Sequence, residues 1–207
     1  KYAESKKINL SYTIENVDFI EYAKKHLSKD LSLFGQVYEN KLFDIVITNP
    51  PYKKINLGSE QRKELSKLKI ETSNIYTAFV AISHRFVDRN GVLVAITPRS
   101  FANGTYFKSF RNNFFESMRL DKIYIFHSRN KAFSKDKVLQ ENIIFSAKKN
   151  FAAKSDVQII TATDPEDPLP LSFKVDHDLL VSPSDMDKVI HIPSDDQALK
   201  IINHFLK

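Results

Sequence analysis

FDIVITNPPY, residues 43–52, sets four β-branched residues in a row (Ile45, Val46, Ile47, Thr48) directly before Asn49, Pro50, Pro51 and Tyr52. β-Branched side chains are stiff at χ1 and favour extended backbone, and a nearly continuous apolar run suits a strand buried on both faces of a sheet. Proline has no N–H to give to a ladder, so Pro50 and Pro51 stop the strand, and Asn49 begins the turn. The plainest reading of the motif is therefore a strand end. A second reading follows from where that end falls, because ligands of open α/β sheets gather at the carboxyl ends of the strands. Asn49 is then expected to project into a cleft.

Apolar runs and helical patterns alternate on both sides of this stretch, which predicts an α/β sheet with helices covering it. SYTIENVD (11–18) alternates and predicts a strand. NIYTAFVAISHRFVD places Ile75, Phe79, Ile82 and Phe86 at helical spacing, with Asn90-Gly91 ending that helix before a strand at VLVAIT. After a turn at Asn103-Gly104, TYFKSFRNNFFESM repeats the helical pattern with Phe107, Phe110, Phe114 and Met118, and the strand KIYIFH follows. ENIIFSA is a further apolar stretch, and VQIITAT predicts another strand. TDPEDPLPL (163–171) reads as an extended loop. DDQALKIINHFLK predicts a last amphipathic helix that starts at an Asp cap and runs to the final residue. The basic stretch 53–69 mixes both charge signs and reads as a solvated loop or helix face, with contact to DNA phosphate as the alternative.

At 207 residues the chain suits one well-cored domain, and 42% hydrophobic with 27% charged residues is ordinary for a globular protein. No apolar run approaches the roughly 18 residues of a membrane span, and the Lys-rich start lacks the pattern of a signal peptide, so a cytoplasmic, intracellular protein is expected. There is no cysteine, which excludes disulfides and thiolate metal sites, and six scattered histidines predict no structural metal. The formal charge of +6 makes an acidic partner such as nucleic acid reasonable. The four glycines are too far apart to form a Gly-rich phosphate or cofactor loop.

The chemistry suggested by the strand end is amine chemistry. The exocyclic amine of a nucleobase is a poor nucleophile, because its lone pair is delocalised into the ring. Two acceptors aimed at its two N–H bonds, the Asn49 side-chain oxygen and the Pro50 carbonyl, draw the nitrogen towards tetrahedral geometry. They also stabilise the positive charge that develops as it attacks a methyl sulfonium. The prolines keep the Pro50 carbonyl aimed, and Tyr52 offers a flat face for an extruded base. Such stacking is worth roughly 1 to 3 kcal/mol, comparable with the cost of flipping a base.

Residues from about 10 to 150 resemble the catalytic core of bacterial adenine-specific DNA methyltransferases of restriction-modification systems, of the group in which the cofactor motifs precede the catalytic one. The likeness rests on NVDFI (16–20), FDIVITNPPY, NIYTAF (74–79), NGVLVAITPRSF (90–101) and KAFSKDKVLQENIIFSAKK (131–149), in that order. It implies a Rossmann-like S-adenosylmethionine-dependent fold, with a central, mostly parallel sheet flanked by helices, and a bacterial cytoplasmic setting.

The resemblance also implies roles: Asn49, Pro50 and Tyr52 catalytic; Tyr52 and Phe133 clamping a flipped adenine; and Asp18, Phe19, Asn49 and Phe79 binding S-adenosylmethionine. Asp18 has a simpler use as a helix cap, and Phe145, inside an apolar strand, is expected in the core. The partners implied are double-stranded DNA and a restriction or specificity subunit or domain. Residues 1–150 would be a partial catalytic domain. Residues 151–207 would continue it towards a target-recognition region.

The resembling enzymes bind their cofactor through a Gly-rich turn and an acidic strand end that lie before the segment matching Asp18. Only seventeen residues precede Asp18, none of them glycine. A fragment lacking the first two strands, inactive alone and weak in S-adenosylmethionine binding, is therefore expected. Three other readings stand beside adenine methylation. A glutamine side chain in protein, or an amine in RNA, presents the same planar nitrogen, and a non-catalytic α/β module would keep the motif for structure. Cytosine amine is a closer rival, although Asn at the first motif position favours adenine in the resembling enzymes.

Overall fold

The computed structural model describes residues 6, 9–27, 42–126, 141–149, 156–164, 166–193 and 195–205. Among them the elements are α1 (Phe19–Leu27), β1 (Phe43–Thr48), α2 (Glu60–Lys67), α3 (Ile75–Ser83), β2 (Val87–Pro98), α4 (Lys108–Phe115), β3 (Arg119–Phe126), β4 (Asn142–Lys148), β5 (Asp156–Ala162), β6 (Leu171–Asp176), α5 (His177–Leu180) and α6 (Asp196–Phe205), with short 3-10 turns at Arg99–Ala102 and Thr105–Phe107. No helix among the described residues is long and apolar enough to cross a membrane.

The strands form one sheet in the order β1-β2-β4-β3-β5-β6. β1 pairs parallel with β2, and β3 with β5, whereas β4 runs against both of its neighbours and β6 against β5. Four strands thus point one way and two the other. The expected α/β architecture is present, with a mixed sheet. β4 fits between β2 and β3 because it returns antiparallel from β3 and pairs on both edges, with Phe145 opposite Ala95 and Ile123.

The helix α3 explains why the sheet is layered. Its sequence IYTAFVAIS carries no charge, and every residue except the half-buried Phe79 is buried. A helix apolar all round must be covered all round. It packs on β1 and β2 and is flanked by α1 and α4. Its carboxyl end is tied to α4 through His84, buried at 4% exposure, whose Nε2 lies 3.3 Å from Asn113 Oδ1 and whose Nδ1 lies 3.1 Å from Ser117 Oγ. Burial, with the Arg85 charge nearby, pushes the His84 imidazole down to about 4. The deepest core lies beyond α3, where Phe101, Phe110, Phe114 and Phe145 meet edge-on or tilted at 5.5 to 5.9 Å. Phe145 is the core residue expected of it, at 1% exposure.

Three expectations are corrected. Residues 11–18 form no strand: they run without regular structure and all are exposed, because no neighbouring strand among the described residues takes up their backbone. β1 is not buried on both faces. It is an edge strand with β2 as its one neighbour, and Ile45 and Ile47 are 63% and 76% exposed. Asn90-Gly91 does not end a helix, since α3 stops at Ser83 and β2 already begins at Val87. Gly91 instead sits in an irregularity where Phe43 pairs with Val87 but Ile45 with Val92. A Cβ there would lie 2.7 Å from the Asp44 carbonyl and 2.9 Å from that of Phe43, so the glycine permits a close backbone approach.

The carboxyl-terminal third closes the other side. VQIITAT does form a strand, β5, and the 163–170 loop leads to β6, held by the Asp167 carboxylate, which accepts from Thr163 N–H and Oγ and from Leu169 N–H. β6 and the short α5 were not foreseen, although Leu171, Phe173 and Val175 alternate and Asp176 caps α5 through Asp178 N–H. Arg111, 1% exposed, donates to the carbonyls of Asp187, Phe101 and Gly104 at 2.8 to 3.0 Å and so ties α4 to the 181–193 segment. α6 begins as expected at Asp195, whose carboxylate accepts from Ala198 N–H.

Candidate active site

β1 and β2 are parallel, so their carboxyl ends, Thr48 and Pro98, lie on the same side of the sheet. Residues 49–52 leave β1 there. Pro50 is buried while Asn49 and Pro51 are exposed. Among the described residues no hydrogen bond engages either the Asn49 side chain or the Pro50 carbonyl. Two acceptors therefore stand adjacent at the strand end, one of them on a backbone whose φ is fixed by the proline ring.

Tyr52 is half-buried against the core, its hydroxyl 3.5 Å from the Ile96 carbonyl near the end of β2. Its ring meets Tyr76 edge-on at 6.2 Å. Tyr76 in turn stacks at a tilt on Phe107 at 5.7 Å, and its hydroxyl lies 3.1 Å from Ser100 Oγ. Burial pushes the Tyr76 phenol up to about 12, so it stays neutral and able to donate. Tyr76 and Ser100 were not singled out from the sequence. The only signal for Tyr76 was its place inside NIYTAF, one residue off the apolar stripe that marked the helix.

The chain then turns back to α3. Ile75 N–H donates to the Lys53 carbonyl and Ile55 N–H to that of Ser73, both at 2.8 Å, and Lys54 bridges Asn74. This short antiparallel pairing anchors the motif to the start of α3 and fixes the direction in which residues 49–52 leave the sheet.

Of the residues expected to bind a cofactor, Asp18, Phe19 and Phe79 gather where α1 packs on α3, whereas Asn49 stands at the end of β1. Phe19 and Phe79, sixty residues apart in sequence, are brought to 5.0 Å between ring centroids. Asp18 acts as the helix cap: its Oδ1 accepts from the N–H groups of Ile20 at 2.8 Å and Glu21 at 3.1 Å, leaving Oδ2 without a bond among the described residues. Lys24 on α1 pairs with Glu64 on α2, and Lys67 adds a bond of 2.6 Å. These bonds hold the Glu64 carboxyl down at about 2 and lock α1 in place. A cavity of about 640 Å³ opens beside Phe19, between residues 11–17 and β1. It touches β1 at Phe43 and Val46, not at the carboxyl end, and neither Asn49 nor Tyr52 lines it. Phe133 lies outside the described residues. No cluster of metal-binding side chains occurs among the described residues.

A mixed sheet flanked by helices, with an Asn-Pro-Pro-Tyr turn at a strand's carboxyl end, has the architecture of a Rossmann-like methyltransferase domain. A modification subunit from Vibrio vulnificus YJ016 shares the fold, with a TM-score of 0.55 at 11% identity over 77% of this chain and 40% of that one. Residues 1–133 match the Eco57I restriction-modification methylase family, and the chain belongs to it. Among its relatives, the type II methyltransferase M.BsuBI of Bacillus subtilis is 39% identical over 187 residues, which is 90% of this chain. The type II methyltransferase M.PstI of Providencia stuartii is 38% identical over 196 residues, or 95% of it. The chain spans 37% of the length of each of these two relatives.

Proposed function

We propose that this chain carries the catalytic motif of a DNA methyltransferase that moves a methyl group from S-adenosylmethionine to the exocyclic amine of an adenine flipped out of duplex DNA. The observation that carries the reading is the pair of unengaged acceptors, Asn49 Oδ1 and the Pro50 carbonyl, at the carboxyl end of β1 beside the Tyr52 ring. The family and its type II methyltransferase relatives support it.

Asn49 and Pro50 accept the two N–H bonds of the amine. The nitrogen lone pair is thereby directed out of the ring plane towards the methyl carbon. As the N–C bond forms and the S–C bond breaks, positive charge gathers on the nitrogen, and the same two acceptors stabilise it before its proton leaves to solvent. They cost no reorganisation, because the turn is already held by Pro50, Pro51 and the bonds to α3. Tyr52 supplies a stacking face, with Phe133 assigned opposite it.

The structure's own aromatic edge fits the cofactor. Phe19 and Phe79 in mutual contact form an apolar border for its adenine, and Asp18 Oδ2 is left to accept from the amine of that ring. When bound, the cofactor supplies the electrophilic methyl group. A restriction or specificity partner is part of the same proposal.

The test uses the native full-length polypeptide that carries these residues, incubated with duplex DNA and methyl-labelled S-adenosylmethionine. Label is expected in N6-methyladenine. Label in cytosine, RNA or protein glutamine would replace the substrate with one of the alternatives. Asn49→Ala is expected to lower transfer on the order of 100-fold or more with unchanged thermal melting, and undiminished transfer would remove Asn49 from the mechanism.

A further inference from the structure

A line of packed rings runs from the turn after β2 to the Asn-Pro-Pro-Tyr turn. It begins at Gly104, where a Cβ would lie 2.8 Å from the Phe107 ring and 2.8 Å from the Ser100 carbonyl, so a glycine is needed for Phe107 to lie this close. The buried Arg111 holds the same turn by donating to the Gly104 carbonyl at 2.8 Å and the Phe101 carbonyl at 3.0 Å. Phe107 meets Tyr76 at 5.7 Å, and Tyr76 meets Tyr52 at 6.2 Å with the ring planes 87° apart. That contact leaves at least one face of Tyr52 clear.

Tyr76 is the fixed member of this line. Its backbone lies in the first turn of α3, its ring is buried at 4% exposure, and its hydroxyl is held 3.1 Å from Ser100 Oγ. A tyrosine side chain has two χ angles, and bonding at both ends settles both. The hydroxyl of Tyr52, by contrast, reaches the Ile96 carbonyl only at 3.5 Å, the long limit of a hydrogen bond. Tyr76 also stands three residues before Phe79 on α3, the spacing of neighbours on one side of a helix. One rigid helix therefore carries the ring that meets Tyr52 and the ring that meets Phe19.

We infer that Tyr76 is a positioning residue for methyl transfer. It acts through Tyr52, whose ring plane it fixes, and through α3 it sets the place of the stacked base relative to the aromatic border formed by Phe19 and Phe79. Transfer between two bound groups demands such placement, since a misplacement of about 1 Å can cost about 100-fold in rate. The inference rests on the function proposed above, in which Tyr52 stacks on the flipped adenine.

The test again uses the native full-length polypeptide, in single-turnover methyl transfer to duplex DNA with DNA and S-adenosylmethionine both saturating. Tyr76→Met fills the space with a flexible chain and removes the ring, and its rate is expected to fall on the order of 10-fold or more. Tyr76→Phe keeps the ring and loses only the bond to Ser100, so it should stay within about threefold of the unsubstituted rate. Phe107→Leu loosens Tyr76 from behind; its rate should fall between these two, and it carries the test where Tyr76→Met does not fold. Phe110→Leu, in the core beside Phe101 and Phe114, is the comparison, expected to lower the melting temperature and leave the rate alone. In a duplex with 2-aminopurine in place of the methylated adenine, Tyr76→Met should alter the emission of the extruded base and Phe110→Leu should not. If Tyr76→Met and Phe107→Leu transfer at the unsubstituted rate, or Phe110→Leu matches their loss, Tyr76 is an ordinary core residue and the proposed function stands. If the unsubstituted protein labels no DNA, both fall together.

Discussion

The two sides of the sheet are finished to different degrees. On the far side, β3, β4 and β5 are interior strands, and their alternate residues, Leu120, Ile123, Phe145, Ala147, Val157 and Ile159, are at most 1% exposed. On the near side β1 is the edge, and Tyr12, Ile14, Ile45 and Ile47 are 63 to 83% exposed along it and the segment before it. Both regions are rich in β-branched and aromatic residues. The difference lies in their neighbours, since β4 has a strand on each side and β1 has one. An apolar strand is buried only where another element supplies the second face, and an exposed apolar edge marks a surface suited to being covered. The Asn-Pro-Pro-Tyr turn springs from the open strand and is anchored to the closed body through α3.

The largest effect that would test this contrast is expected on the closed side. Arg111→Met removes the donor to three buried carbonyls, and should destabilise by about 3 kcal/mol or more, read as a fall in the denaturant midpoint. A loss under about 1 kcal/mol would mean that the 181–193 segment is not tied down by α4.

A middle effect concerns His84, which joins α3 to α4. Its imidazole is held down at about 4, against an ordinary 6.5, so the unfolded chain takes up a proton that the folded one refuses. Stability should therefore be lost as pH falls from about 6.5 towards 4, by up to about 1.4 kcal/mol per pH unit, and then level off for this group. His84→Gln should flatten that part of the profile, and an identical profile in the variant would show that His84 is not closed off from water.

The smallest effect is expected at the open edge. Ile47→Thr keeps the β-branch and places a hydroxyl where the side chain is already 76% exposed, so monomer stability should change by less than about 0.5 kcal/mol while self-association at high concentration declines. Destabilisation of 2 kcal/mol would show that this face is covered after all.

Much of the site was legible because it is local. Four β-branched residues running into Asn-Pro-Pro-Tyr specify a strand, its end and its two acceptors within ten residues, through rotamer stiffness and missing N–H groups. The apolar stripe of α3 and the aromatic stripe of α4 were equally readable. Pairing partners were not. Whether 11–18 becomes a strand depends on a neighbour, and so does the exposure of Ile45. Gly91 reads as a helix stop along the sequence and proves to be a close-approach glycine only once β1 lies against β2.

The sequence by itself thus determined the strand and turn at 43–52, the start of the helix at Ile75 and the caps at Asp18 and Asp195, because each depends on residues within one or two turns of the chain. Tertiary structure alone decided that β4 enters between β2 and β3, that Phe19 meets Phe79, that Tyr52 and Tyr76 meet edge-on, and that Arg111 closes on the 181–193 segment. These are contacts between residues tens of positions apart. They depend on which surfaces remain to be buried after the local elements have formed, and no local preference carries that information.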